Sequence, residues 1–133
     1  MKCFNIMNKC LFCDENFYID KLIFENEYWR SVYDGFPCSK GHSLIIPKRH
    51  IQSFFGLNDN ELKTLYHFIK STKEIIEKEF KPLAYNLGIN DGFGSGQTIP
   101  HLHIHLIPRY ENDGGLPYGV RNVFPKDIAK YNK

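Results

Sequence analysis

The sequence contains 133 residues, of which 42% are hydrophobic, 24% charged and 15% aromatic. This length allows one domain with a sizeable core, and the composition excludes a disordered, collagenous or membrane-embedded chain. Seventeen basic and fifteen acidic side chains leave a formal net charge of +2, so we expect neither a nucleic-acid nor a membrane partner. We predict a single domain at residues 1–133, with its core at about 10–109 and an extended C-terminal tail at 110–133.

The N-terminal segment bears on the cellular compartment. Polar residues interrupt it before Cys10, so it lacks the apolar stretch of a secretory signal, and we expect a cytoplasmic protein. Four cysteines could form two disulfides in a secreted chain, but without a signal the closely spaced Cys10 and Cys13 are better interpreted as metal-binding or redox thiols. We expect Cys3 and Cys38 to be ordinary free cysteines.

Three short strands are predicted in the first half of the chain. Aromatic and β-branched residues mark strands at Lys21 to Glu25 and Trp29 to Tyr33, and the polar residues between them predict a hairpin. A third strand is predicted at Gly41 to Ile46, closed by Pro47, which lacks a backbone donor.

The clearest helix is predicted to begin at Asn58, which can form a capping box with Glu61. The helix is expected to end near Lys81 and Pro82. Apolar residues recur along it at the spacing of one buried stripe, namely Leu62, Leu65, Tyr66, Ile69, Ile76 and Phe80.

Two further strands are predicted at Ala84 to Asn90 and at His101 to Arg109. The segment between them, Asp91 to Gly96, is too rich in glycine for either regular element. Together these elements indicate an α+β fold, with an antiparallel sheet of about five strands packed with one long helix and one shorter helix.

Three histidines alternate along the last predicted strand. In a strand, His101, His103 and His105 share one face, and the residues between them enter the core. Such a face can be a solvated polar surface, a catalytic zinc site or a source of nucleophilic and acid–base imidazoles. The glycine-rich loop, with Gln97 and Thr98, can present donors to a phosphate, which favours the imidazole chemistry.

These motifs together resemble the histidine triad (HIT) family of nucleotide hydrolases and transferases. The resemblance rests on Pro100 to Arg109 with the preceding Gly96 to Thr98, on Gly41 to His50, and on the pair within Cys10 to Cys13. The tail segment Gly119 to Pro125 also resembles a bacterial branch often described as diadenosine tetraphosphate hydrolases. The resemblance implies a HIT-like fold and a homodimer joined through a helix and an edge strand.

The resemblance also implies an activity, which is cleavage at the α-phosphate of dinucleoside polyphosphates or related adenylylated compounds through a covalent nucleotidyl-histidine intermediate. It implies that His103 is the nucleophile, and it assigns the other catalytic residues as His105, His42 and Thr98. Nucleotide or phosphate binding is implied for Asp34, Asn90, Gln97, Thr98 and His105, with Asp34 on the ribose hydroxyls.

A structural zinc is a further implication of the resemblance, and no catalytic metal is required. The implied ligands are Cys10, Cys13, His50 and His101. Four protein ligands leave no open coordination position, so the metal would fasten the N-terminus to the sheet.

Other functions remain open at this stage. One is a purine nucleoside phosphoramidase of the same family, and another is a nucleotide-binding module with little turnover. A third is a metal-dependent hydrolase with zinc on His101, His103 and His105, which a chelator would stop. The nucleophile argues against a pure binding module, since binding alone does not need one.

Overall fold

The computed structural model describes residues 10–113 and 119–120. Within these residues the chain forms five strands and two α-helices: α1 Glu15–Tyr18, β1 Leu22–Glu25, β2 Trp29–Tyr33, β3 Ser43–Pro47, α2 Asp59–Phe80, β4 Ala84–Ile89 and β5 Ile104–Arg109. The strands pair antiparallel in the order β1-β2-β3-β5-β4. The predicted α+β fold, with one long and one short helix, is therefore confirmed. The predictions for Cys3 and for most of the tail, including the segment after Val120, lie outside the described residues.

The last strand begins at Ile104 and not, as predicted, at His101. Ile104 pairs with both Ile45 of β3 and Ile89 of β4, where β4 ends. Before this point the backbone turns away, and Leu102 N donates to Ile51 O at 2.7 Å. The three histidines therefore do not lie along one strand, although the predicted burial of the residues between them is confirmed.

Helix α2 begins and ends where the sequence predicts. Asn58 accepts from the backbone N–H of Glu61, and the Glu61 side chain accepts from the backbone N–H of Asn58, which is a complete capping box. Lys81 ends the helix in the left-handed region, with φ 51°. The helix boundaries thus follow from local chemistry alone.

The predicted buried stripe of α2 is partly wrong. Leu62 and Tyr66 are exposed, at 47% and 66% of their surface. Their places on the sheet-facing side are taken by Glu61, Phe68 and Thr72, which are buried together with Ile76 as predicted. The helix is rotated because two of its polar residues have partners on that side: Glu61 pairs with an arginine, and Thr72 Oγ1 donates to a serine hydroxyl on β2.

The sheet has a different cover on each face. On one face, Phe68 of α2 packs with Trp29, Ile45 and Ile104. On the other, the N-terminal segment packs its aromatic residues against β2 and β3; this cluster contains Cys10, Phe12, Tyr18, Val32, Leu44 and Ile46. Among the described helices, none combines the length and apolar character that spanning a membrane requires.

Candidate active site and metal centre

A cleft of about 300 Å³ opens on the sheet face that the N-terminal segment covers. Its apolar walls include Phe12, Phe17 and Tyr18 from that segment and Val32 and Leu44 from the sheet. The polar groups that line it include Lys21, Asp34, Asn90, Thr98, His103 and His105. An apolar slot with few convergent polar groups is the usual form of a small-molecule site.

His103 is buried at the floor of this cleft, with 8% of its surface exposed. Its Nδ1 lies 2.9 Å from the carbonyl oxygen of His101. A carbonyl only accepts, so Nδ1 carries the proton and Nε2 keeps its lone pair. The ring packs edge-on against Phe12 at 5.0 Å between centroids, so its basic nitrogen is held in one orientation.

His42 and His105 form a second unit beside His103. The backbone N–H of Cys38 donates to His42 Nδ1 at 3.1 Å, so the proton of neutral His42 is on Nε2. That Nε2 lies 2.9 Å from His105 Nδ1 and donates to it. The remaining proton of His105 is therefore on its own Nε2, where it is available to a ligand.

The pKa values of both histidines favour these neutral forms. Burial, helped by the nearby His103 and His42 rings and opposed by Asp34, lowers the pKa of His105 to about 4. Burial also lowers the pKa of His42, with Asp34 again acting in the opposite direction. Both rings are therefore uncharged hydrogen-bonding groups near pH 7.

Asp34, directly after β2, has two contacts. Its Oδ1 accepts from the backbone N–H of Phe36 at 2.8 Å, which is the turn-forming role. Its Oδ2 lies 3.3 Å from His42 Nε2 and 3.9 Å from His105 Nδ1. One carboxylate thus closes a turn and stands beside the histidine pair at the edge of the cleft.

Of the predicted phosphate binders in and beside the glycine-rich loop, two line the cleft and one does not. Asn90 and Thr98 line the cleft. Gln97 does not, because its amide braces the loop: its Oε1 accepts from Gly92 N at 2.7 Å, and its Nε2 donates to the carbonyls of Gln52 and Ile99. Gly92 has a φ of 94°, a conformation that glycine adopts without strain.

The four predicted metal ligands do come together. Cys10, Cys13, His50 and His101 offer ligand atoms that all lie within 4.8 Å of one another. Sulfur to nitrogen distances are 3.4 Å for Cys10 to His101, 3.4 Å for Cys13 to His101 and 3.7 Å for Cys13 to His50. The Nδ1 atoms of the two histidines are 3.2 Å apart.

These distances fit a tetrahedral zinc. Bonds of about 2.3 Å to sulfur and about 2.0–2.1 Å to nitrogen place sulfur and nitrogen about 3.6 Å apart, and two nitrogens about 3.3 Å apart. His101 Nε2 lies 2.8 Å from the carbonyl of Pro47 and must donate to it, so Nδ1 is the nitrogen directed at the other three candidate ligands. Burial lowers the pKa of His101 to about 4 and that of His50 as well, so both imidazoles are neutral ligands.

A zinc on the three histidines of the motif has less support. Among the described residues, the ligand groups that cluster are the Cys and His set and a second group of Asp34, His42 and His105. His101 belongs to the first group and His105 to the second. The motif is thus divided between two sites, and Phe12 touches the rings of both His101 and His103.

Sequence reasoning missed several residues of the site. The aromatic walls Phe12, Phe17 and Tyr18 follow the first cysteine closely, but their sequence pattern has no helical or strand periodicity. Arg109 ends the histidine motif and lines a second cleft beside His42. Its position on the same strand face as His105 was the available signal.

The comparisons with known proteins agree with this fold. The HIT domain family matches residues 18–112 of the chain. The asymmetrical bis(5'-nucleosyl)-tetraphosphatase of Schizosaccharomyces pombe is 42% identical over 77 residues, which are 58% of this chain and 42% of that protein.

Two solved structures have the same architecture. A HIT family protein from Bacillus anthracis is 30% identical, with a TM-score of 0.73 over 93% of this chain and 97% of that one. A zinc-bound histidine triad family protein from Mycobacterium smegmatis is 26% identical, with a TM-score of 0.69 over 79% of this chain and 78% of that one.

Proposed function

The chain belongs to the HIT family, and from this premise we propose that it cleaves at the α-phosphate of dinucleoside polyphosphates or related adenylylated compounds. The observation that carries the proposal is the 2.9 Å bond between His103 Nδ1 and the His101 carbonyl. It orients the imidazole with Nδ1 as the donor, so that Nε2 is the nitrogen that can attack a substrate in a cleft of about 300 Å³. The likeness to the Schizosaccharomyces pombe tetraphosphatase supports the substrate class.

In the first step, His103 Nε2 attacks the α-phosphorus. A phosphorus–nitrogen bond forms, the bond from phosphorus to the bridging oxygen breaks, and its electron pair leaves on that oxygen. The Nδ1 proton stays on the imidazole and on its bond to the His101 carbonyl. The donor His105 Nε2–H stabilises the phosphoryl oxygens or the departing oxygen.

In the second step, water attacks the same phosphorus. A new phosphorus–oxygen bond replaces the phosphorus–nitrogen bond, whose electron pair returns to His103 Nε2, and the proton released from water passes to solvent. His42 acts through His105 and is a positioning residue. Two displacements at one phosphorus need no metal in this scheme.

The remaining polar residues have separate roles in this proposal. Thr98 and Asn90 bind phosphoryl oxygens from the edge of the cleft, and Asp34 binds the ribose hydroxyls. The bonds of Gln97 within the loop support a positioning role, because it holds Thr98 in place. The aromatic walls take the base by stacking and burial.

We also propose that Cys10, Cys13, His50 and His101 hold a structural zinc. The metal would supply a crosslink between the N-terminal segment, the segment after β3 and the residue two before the nucleophile. This requires both cysteines as thiolates, which fits a reducing compartment such as the cytoplasm. Metal analysis should find about one zinc per chain, and replacing Cys10 and Cys13 together should remove it; a folded, active protein without metal would contradict the site.

A homodimer is part of the same proposal. β4 is an edge strand of the sheet, and its Leu87 is half exposed. On α2, the exposed Leu62 and Tyr66 offer apolar surface that the fold itself does not cover. Sedimentation should give twice the chain mass, and Tyr66→Glu with Leu87→Glu should give the monomer; a monomeric wild type would refute this part.

The central experiment is intact-protein mass spectrometry after rapid quenching without acid. Wild type and His103→Ala are each mixed with diadenosine tetraphosphate or with adenosine 5′-phosphoramidate. We expect a transient nucleotidyl adduct in wild type alone, and a loss of turnover of several orders of magnitude in the variant. Faster turnover of the phosphoramidate would assign the chain to the phosphoramidase class, and tight nucleotide binding without product would favour a binding module.

A further inference from the structure

A second cleft, of about 350 Å³, adjoins the first. The two share His105 and Asn90 as lining residues. The second is bounded by β4 and the end of β5, and by Cys38 and His42 on its other side. Its volume is at the lower end of the range of small-molecule sites, about 300–1,000 Å³, and the mechanism above uses only the boundary between the clefts.

The lining of the second cleft is suited to an anion. It contains one arginine, Arg109, and two side-chain amides, Asn86 and Asn90, but no aspartate or glutamate among the described residues. The first cleft differs, because it combines aromatic walls with the carboxylate of Asp34. A nucleoside suits the first cleft, and a phosphate chain suits the second.

Arg109 is held at this cleft by its strand. His105, Ile107 and Arg109 alternate along β5 and face the same side of the sheet. The Arg109 side chain is 20% exposed, and its Nη2 lies 3.2 Å from Asp113 Oδ1. Its Nε is buried and has no hydrogen-bond partner among the described residues.

A buried guanidinium N–H without a partner is costly, and a phosphate oxygen would satisfy it. Arginine also presents its donors in a planar fork that matches phosphate. Burial lowers the pKa of His42. The carboxylate of Asp34 raises this pKa, and the positive charge of Arg109 lowers it. Arg109 lines this cleft together with His42 and His105, the two histidines beside His103.

We propose that the second cleft binds the phosphate groups of the leaving half of the substrate, and that Arg109 selects polyanionic leaving groups. This inference rests on the proposed function. The substrate would cross the boundary at His105, with its nucleoside in the first cleft and the phosphates beyond the broken bond in the second. When the bond from the α-phosphorus to the bridging oxygen breaks, the electron pair and the new negative charge stay on an oxygen that Arg109 faces.

The test compares two substrates that differ in the leaving group. Diadenosine tetraphosphate releases a polyanion, and adenosine 5′-phosphoramidate releases uncharged ammonia. We expect Arg109→Met to lower the ratio of their kcat/KM values, tetraphosphate over phosphoramidate, by about 10- to 100-fold, since a charge-assisted hydrogen bond is lost. Arg109→Lys, which keeps the charge and loses the fork, should lower it by about 3- to 10-fold.

Two control variants separate this effect from general damage. Asp113→Asn removes the acidic partner of Arg109 while keeping an oxygen for the backbone N–H of Tyr110, which donates to Asp113 Oδ2. Lys48→Met removes an equal charge at a side chain that pairs with Glu25 and lines neither cleft. Both should leave the ratio within about 3-fold of wild type. An equal fall for both substrates in Arg109→Met would show a structural role and overturn the proposal.

A binding measurement keeps this inference distinct from the proposed function. Calorimetry with inorganic tripolyphosphate and, separately, with AMP is made on wild type and Arg109→Met. We expect tripolyphosphate to bind at least about 10-fold more weakly to the variant and AMP to bind equally. If wild type turns over neither substrate but this difference is found, the proposed function fails and the anion subsite stands. Equal tripolyphosphate binding to both proteins would refute the subsite.

Discussion

The Nε2 atom of His42 lies 2.9 Å from the Nδ1 atom of His105. His42 comes directly before β3, and His105 lies in β5 beside it in the sheet. Because the Cys38 backbone N–H occupies the other nitrogen of His42, this single bond determines which nitrogen of His105 carries the proton. The tautomer of His105 is thus set, through His42, by the backbone amide of Cys38.

Replacing His42 by phenylalanine should break this chain of bonds while keeping ring volume. We expect kcat to fall by about 10- to 100-fold, since His105 loses its fixed tautomer, and KM to change less than kcat. Steady-state kinetics with diadenosine tetraphosphate measure both. His67→Phe, at an exposed histidine of α2, is the matched control and should behave as wild type; equal kinetics in the two variants would contradict the relay.

The low pKa of His105 predicts acid sensitivity. In the folded protein this pKa falls from 6.5 to about 4, so below pH 6.5 the unfolded chain binds the proton more readily. The stabilising contribution is complete above about pH 6.5 and is lost as the pH falls toward 4, by up to about 1.4 kcal/mol per pH unit for one proton. Urea unfolding between pH 7 and 4, with zinc content followed, should show a shallower loss for His105→Asn; parallel curves would disprove the assignment.

Removal of zinc should affect binding more than chemistry. Leu11 and Phe12 lie between the two candidate cysteine ligands and line the first cleft, where we propose that the nucleoside binds. We expect chelated protein to show a KM raised by about 10-fold and a kcat within about 3-fold of the zinc-bound form, because the nucleophile is held by a backbone carbonyl. Phe12→Ala in zinc-bound protein should mimic the KM effect. A loss of kcat at constant KM would indicate a catalytic metal instead.

The pair between Arg49 and Glu61 should matter for stability. Glu61 is 2% exposed and receives two bonds from Arg49, at 3.0 and 2.8 Å. Arg49→Met leaves that buried carboxylate without its charge partner, so we expect a loss of about 2 kcal/mol in the free energy of unfolding. The exposed pair of Lys73 and Glu77 is the control, since Lys73→Met should cost no more than about 0.5 kcal/mol. Equal losses of unfolding free energy for Arg49→Met and Lys73→Met would show that the pairing of Glu61 with Arg49 has no special effect on stability.

Local patterns were sufficient for several elements. The capping residues of α2 and the bounds of β2 depend on neighbours within four positions, and both were predicted correctly. The orientation of α2 was not, because the buried positions of Glu61 and Thr72 depend on Arg49 and on Ser31, which are distant in the chain. A hydrophobic stripe does not reveal a polar residue that is buried by a partner.

The sequence by itself determined the fold class and predicted the candidate ligands and the candidate nucleophile, because their residue types and spacings are written in short motifs. Only the tertiary structure divided the three histidines between a candidate metal site and a cleft, since β5 begins at Ile104 where its neighbours allow pairing. It also brought Arg109 of β5 and His42, which precedes β3, to the lining of one cleft. Proton positions and cleft charges depend on distances between residues far apart in the chain, and such distances exist only after the sheet has formed.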